Sequence, residues 1–185
     1  MRGLRILVSI VGLVLLASTA LAGNGDDGRL DTLFDELKTA SSAGEARVIE
    51  TAIWNLWTVT GKEDTDALMA RGISAMESGD FDGALTAFDR LVVRDPQFAE
   101  AWNKRATVHY MMGDFEASVA DIERTLAHEP RHFGALSGLG LIFMAVGNDE
   151  AALRVFEKAL SIDPYLQGPA EFADEIRRKL EGRAI

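Results

Sequence analysis

The chain has no cysteine among its 185 residues, only four prolines, and less base than acid. Without cysteine there is no disulfide, no thiolate metal site, no cysteine nucleophile and no acylated cysteine of a lipoprotein, so the fold must rest on its packed core. Lys and Arg number 19 against 29 Asp and Glu, a net charge of −10, which becomes −12 if Arg2 and Arg5 leave with a leader. A surface this acidic repels phosphate backbones and anionic headgroups. The partner expected is therefore a protein or peptide with basic patches, not a nucleic acid.

Catalytic patterns are missing too. There is no Gly-x-Ser-x-Gly elbow, no glycine-rich phosphate loop and no His-Glu-x-x-His. His128 and His132 have the four-residue spacing that binds zinc on one helix face, but Pro130 lies between them and breaks that helix. They are expected as solvated histidines of a loop, and His109 as a core or groove-edge residue rather than a general base. The carboxylates of Asp82, Asp89, Glu116, Glu123, Glu150 and Glu157 fall on outer helix faces, where such groups keep a surface wet. No enzyme activity, metal or cofactor is expected.

One apolar run stands at the start. In MRGLRILVSIVGLVLLASTALA, Arg2 and Arg5 precede the uncharged stretch Ile6 to Leu16, and Ala20-Leu21-Ala22 supplies a small-x-small ending. Residues 1–22 are expected to be a signal peptide cleaved after Ala22, giving a periplasmic or secreted protein. The alternative is an uncleaved membrane anchor, since about 20 residues suffice to cross a bilayer. Residues 23–28 read as a flexible linker. Two helices follow in 29–62: Leu30, Leu33, Phe34 and Leu37 mark the first, and Ala46, Ile49, Ile53, Leu56 and Trp57 the second.

The rest of the chain repeats itself. GDFDGALTAFDRLVVRDP (Gly79–Pro96), GDFEASVADIERTLAHEP (Gly113–Pro130) and GNDEAALRVFEKALSIDP (Gly147–Pro164) recur at a fixed step of 34 residues. The columns align as Leu68, Trp102, Leu136; Gly72, Ala106, Gly140; Ala84, Ser118, Ala152; and Phe88, Ile122, Phe156. Each unit reads as helix A, a tight turn, helix B and a stop. The turn glycines Gly79, Gly113 and Gly147 suit a positive backbone angle, and Asp80, Asp114 and Asn148 can accept from the free amides opening helix B. Pro96, Pro130 and Pro164 end it. Small residues at 72, 106 and 140 facing 84, 118 and 152 let the two helices approach closely.

These columns resemble the tetratricopeptide repeat, a 34-residue helix-turn-helix unit. The stretch Ala101 to Ala106, with Gly113-Asp114-Phe115 and Asp121, follows a common bacterial variant. The resemblance implies an all-α, right-handed α-solenoid of three repeats at 65–98, 99–132 and 133–166, closed by a capping helix at 167–181 with Phe172, Ile176 and Leu180 inward. The 29–62 hairpin would cover the other end or be a degenerate repeat. Trp54 and Trp57 are then either both packed, or one of them is exposed for a partner. An ion pair between Arg105 and Asp121 is also implied. Asp149, Thr125 and His109 depart from the pattern.

In such an architecture the inner faces of the A helices line a groove that holds ligands. The positions are Asp66, Met69, Ile73 and Met76 in the first unit, Asn103, Thr107, Tyr110 and Met111 in the second, and Ser137, Leu141 and Met144 in the third. Methionine-rich strips accept varied apolar side chains. A related subclass clamps a peptide's terminal carboxylate, but only Asn103 and Lys104 of such a set are present, so that mode is not expected. The function expected is a non-catalytic envelope adaptor gripping a peptide or protein segment. The alternative is a structural or self-assembling component, homo-oligomeric through the tryptophan-bearing hairpin.

Overall fold

The computed structural model describes residues 27–183; the expected signal peptide and most of the linker lie outside them. The regular elements among the described residues are all helices: α1 (Asp27–Thr39), α2 (Ala43–Thr58), α3 (Glu63–Glu77), α4 (Phe81–Arg94), α5 (Ala99–Met111), α6 (Phe115–His128), α7 (Phe133–Ala145), α8 (Asp149–Ile162) and α9 (Gln167–Arg183). Asp27 and Gly28, expected in the linker, already open α1. No helix among the described residues is long and apolar enough to cross a membrane.

The repeat phrase becomes a chain of antiparallel pairs, α3 with α4, α5 with α6, α7 with α8. α4 and α6 pack on the next pair in turn, and α9 closes the series on α8. Since α3, α5 and α7 also touch one another, they form the inner layer of the solenoid. Each turn follows from its glycine and its cap. Gly79, Gly113 and Gly147 take φ of 76°, 79° and 76°. Asp80, Asp114 and Asn148 accept from the amides of Gly83, Ala117 and Ala151 at 2.9, 3.1 and 3.2 Å.

Close helix contact depends on ring size as well as on the small-residue columns. A Cβ added to Gly72 would lie 2.4 Å from Cε1 of Phe88, and one on Gly140 2.3 Å from Cε1 of Phe156. In the middle repeat the ring is replaced by Ile122, and there an alanine, Ala106, fits, buried at 2% exposure. The Ser118 hydroxyl adds a hydrogen bond to the Ala106 carbonyl at 2.8 Å.

Departures from the pattern are compensated locally. Thr125 is fully buried and donates to the Asp121 carbonyl at 3.0 Å. Asp149 replaces an aromatic and pairs with Lys179 of α9 at 2.7 Å. On α9, Ala173 and Ile176 are buried and Phe172 stacks on Phe156 with centroids 5.6 Å apart.

The hairpin of α1 and α2 goes somewhere the sequence did not indicate. It does not stack on the first pair. Leu30, Phe34, Leu37, Ala46, Ile49, Ile53 and Trp57 share one core with residues of α5 to α9, while the first repeat forms a separate core of Met69, Ala84, Phe88, Leu91, Val92, Ala101 and Val108. The hairpin therefore folds back over the second and third repeats. That placement explains α7, whose buried residues Phe133, Leu136, Leu139, Ile142 and Phe143 leave no polar stripe. The hairpin covers the start of this apolar helix at His132, Phe133 and Gly134, while Ser137, Gly138 and Leu141 further along stay half-buried.

Gly140→Ala should gain roughly 1 kcal/mol of helix propensity and lose about 2–3 kcal/mol to overpacking against Phe156, a net loss seen in chemical denaturation. In the double variant with Phe156→Ile, the loss should fall short of the sum of the single losses by about 1 kcal/mol or more.

Candidate functional site

The inner layer presents a cavity of about 350 Å³ between α5, α6 and α7, lined by Asn103, Thr107, Tyr110, Met111, Ser137 and Leu141 together with Ala106, Ser118, Ile122, Gly134, Ala135 and Gly138. Six of the eleven positions expected on the inner face thus meet in one concavity. The first-repeat positions do not. Met69 is 2% exposed inside the first-repeat core, and Ile73 and Met76 pack against that core. Met144 packs half-buried against the larger core and does not line the cavity. Asp66 is occupied with the hinge after α2, accepting from the Thr60 amide and hydroxyl at 2.8 Å each and the Gly61 amide at 3.0 Å. The Thr60 amide first, with the Thr60 hydroxyl and Gly61 amide, holds the Asp66 carboxyl below its ordinary range against the opposing effect of burial.

At the Gly134 end the cavity stops against the hairpin. Gly134 faces Trp54 so closely that a Cβ would lie 2.6 Å from the indole. Beneath it is a buried polar knot. Glu100 and His132 are both fully buried, with His132 Nε2 2.8 Å from Glu100 Oε2. His132 is also the N-cap of α7, its Nδ1 accepting from the Ala135 amide at 3.1 Å. A nitrogen that accepts bears no proton, so the hydrogen sits on Nε2, is donated to Glu100, and the ring is neutral. Asn103 Nδ2 donates to the same carboxylate oxygen at 2.8 Å, and Lys104 Nζ lies 3.1 Å from the other. Burial opposes the charge on Glu100, while the hydrogen bond from His132 and the charge of Lys104 favour it.

His132 was expected in solvent with His128. Only His128 is exposed. Pro130 does end α6 as expected, but the same break delivers His132 to the start of α7, where a cap is needed and where Trp57 covers it. The two rings stack at 4.0 Å and 10°. Both tryptophans face this surface: Trp54 lies 5.4 Å and Trp57 5.0 Å from Phe133, and Lys104 Nζ sits 5.5 Å from the Trp54 ring. Arg131 lies 4.3 Å from the Phe34 ring and pairs with Asp31, and the Tyr165 hydroxyl donates to the Ala40 carbonyl at 2.6 Å.

Glu50 of α2 meets Asp163 at the end of α8. Burial first, then the Asp163 charge, raises the Glu50 carboxyl; burial raises Asp163, against hydrogen bonds from Tyr165 and Glu50. The expected Arg105 to Asp121 pair is present and bidentate, at 2.7 Å for both contacts. Arg105 also reaches Asp89 at 2.8 Å, so this outer-face carboxylate fastens two repeats together. His109 stays half-buried, 3.9 Å from Asp121. Among the described residues no group of three or more His, Asp or Glu could hold a metal.

A solenoid of helix pairs with a concave inner cavity defines a repeat scaffold. The chain matches the tetratricopeptide repeat over residues 69–111 and 104–166, more than half its length, and belongs to that family. A TPR repeat-containing protein of Rhizobium etli is 36% identical over 91 residues, 49% of this chain and 45% of that protein, so the chain spans under half of that relative. Among solved structures, the first TPR of Spaghetti (RPAP3) bound to HSP90 peptide SRMEEVD is similar with a TM-score of 0.61 and 19% identity, over 64% of this chain and 94% of that one. The TPR2B domain of yeast Sti1 in a pHsp70 complex gives 0.60 and 16%, over 64% and 99%. MamA gives 0.53 and 19%, over 83% and 87%. At these identities the likeness is one of fold.

Two results are expected. His132→Ala, which leaves Glu100 buried with Lys104 and Asn103 only and removes the stack on Trp57, should cost about 3 kcal/mol and red-shift tryptophan emission before global unfolding. Glu50→Gln should raise the melting temperature at pH 7.5. A carboxyl with a raised pKa stabilises the fold when protonated and loses that contribution as pH rises through the folded-state value. The gain over the natural chain should therefore shrink toward zero at pH 4.5.

Proposed function

We propose that this chain is a non-catalytic adaptor that holds a peptide or protein segment in the inner cavity between α5 and α7. The observation that supports it most is the convergence of Asn103, Thr107, Tyr110, Met111, Ser137 and Leu141 on one concavity of about 350 Å³. Pockets of roughly 300–1,000 Å³ with an apolar lining and a few placed polar groups are the usual form of a binding site. Similar folds in RPAP3 and Sti1 carry bound peptide or chaperone partners. The ligand segment lies across α5 and α7, its apolar side chains against Met111 and Leu141, with Tyr110 and Asn103 orienting its backbone.

The adaptor works outside the cytoplasm, in the periplasm or beyond, after cleavage behind Ala22. This rests on the basic start, apolar centre and small-residue end of residues 1–22. Hairpin-driven self-assembly is not favoured, because both tryptophans that motivated it lie against His132 and Phe133 of the same chain.

A photocrosslinking residue at Met111, 50% exposed and lining the cavity, should trap a partner in the producing cell, whereas one at Val93, 80% exposed but on α4, should not. Leu141→Glu in the Met111-crosslinker background should abolish the adduct without changing helicity. Equal adducts at both positions, or an adduct that survives Leu141→Glu, would sink the groove reading.

A further inference from the structure

We propose that the cavity receives one large apolar side chain from a partner segment whose lysines or arginines lie a few residues away, in solvent over the acidic edge beyond Met111; this rests on the groove reading above and names its ligand class. The cavity itself suits only the apolar part of such a segment. Ala106, Ile122, Ala135 and Leu141 line it, and no charged residue does. The hydroxyls of Thr107, Ser118 and Ser137 are bonded to main-chain carbonyls at 2.9, 2.8 and 2.7 Å. A charge placed inside would meet no counter-charge, whereas an aromatic or leucine side chain meets the Tyr110 ring and the Met111 thioether.

The two ends of the cavity differ. At Gly134 it stops against Trp54, and along that edge of the solenoid the hairpin is fastened by Asp31 to Arg131 and by Tyr165 to Ala40. At Met111, 50% exposed and followed by Met112 at 48%, it opens toward the turns that join each pair of helices. Those turns carry charge of one sign. No lysine or arginine occurs from Gly72 to Asp89, from Ala106 to Glu123 or from His132 to Leu153, so the basic residues of the repeats are confined to the other half of each unit. Glu77 holds on α3 the place that Met111 holds on α5, 34 residues on, and the two helices touch. Asp114 and Glu116 flank Phe115, whose ring lies 5.6 Å from that of Tyr110 in the cavity wall. All three carboxylates are exposed. A cation there keeps its hydration, and its aliphatic stem covers Met111 and Met112. At 1.5 Å per residue this edge lies about 10 Å along α5 from Thr107, which about three extended residues span.

The test titrates fluorescein-labelled peptides by anisotropy against the full chain without its leader. The parent, Lys-Arg-Ser-Ser-Phe-Ser-Ser-Arg-Lys amide, is symmetric, so the direction of the bound chain does not matter; in three others all four flanking cations become glutamine, all four become glutamate, or phenylalanine becomes serine. At 0.05 M salt the parent should bind about tenfold tighter than the glutamine peptide and tighter still than the glutamate peptide, shifting the amide resonances of Ser137, Gly138 and Leu141. At 0.3 M salt its advantage over glutamine should shrink to about threefold or less, as for exposed charges. Loss of phenylalanine should cost about tenfold at either salt. Glu77→Gln with Glu116→Gln should bring the parent to within about threefold of the glutamine peptide at 0.05 M. Asp35→Asn with Glu36→Gln, the same charge change on the exposed face of α1, should not. If the phenylalanine peptides bind at Leu141 but flanking charge makes no difference, glutamate is preferred, or the two double variants behave alike, the proposal is overturned and the groove reading survives. It is overturned too if the serine peptide binds as well as the parent. If no peptide binds at all, both fail.

Discussion

The neutral ring of His132 is the point where three otherwise separate parts of the chain are joined. Its Nδ1 starts α7, its Nε2 satisfies a carboxylate on α5, and its face carries Trp57 of the N-terminal hairpin. A buried carboxylate is costly unless hydrogen-bonded and paired, so Glu100 fixes the positions of His132, Asn103 and Lys104 together. Once His132 is held, Phe133 is placed beside it, and the two tryptophans have an aromatic floor. The hairpin is then kept by burial of Phe34, Leu37, Ile53 and Trp57, each contributing about 1.5–3 kcal/mol. One cost remains, the buried Trp57 Nε1, which has no hydrogen-bond partner.

This arrangement divides the solenoid unequally. The first repeat keeps its own small core and touches the hairpin chiefly through the hinge at Thr60 and Gly61, where Asp66 ties the chain. The second and third repeats, with the hairpin and α9, form one larger core. The open part of the inner face is consequently confined to the stretch between α5 and α7 that the hairpin leaves uncovered. Of the methionines of α3, which looked like groove residues by position, Met69 lies in the first-repeat core and Met76 packs half-buried against it.

What the sequence made legible is what repeats. A 34-residue step recurring three times constrains each turn glycine, cap and proline by local chemistry, and all of these appear as read. The Arg105 to Asp121 pair was legible because both partners lie in one repeat, 16 residues apart. The docking of the hairpin was not. Its partners, such as Asp31 with Arg131 across 100 residues, occur once and follow no period, so no column reveals them. His132 was misread for a related reason. Pro130 correctly signalled the break, but the ring becomes a cap only because the helix restarts immediately after it, and it is buried only because Trp57 arrives from elsewhere.

The consequence for recognition lies in Asn103. By position it is a groove residue with an amide to offer, and in isolation it would serve an acidic or a basic ligand equally. Glu100, one turn earlier and fully buried, accepts one of the two amide hydrogens and so holds the side chain in the cavity wall. Glu100 can be buried there because His132 donates to it and Lys104 neutralises it, and the Trp54 ring that covers Lys104 belongs to the hairpin. The hairpin thus reaches the cavity wall without lining it: at the Gly134 end it covers the polar knot in which Asn103 and Lys104 are both held on Glu100. In this chain the segment with no repeat in it braces polar side chains at one edge of the surface that the repeats build.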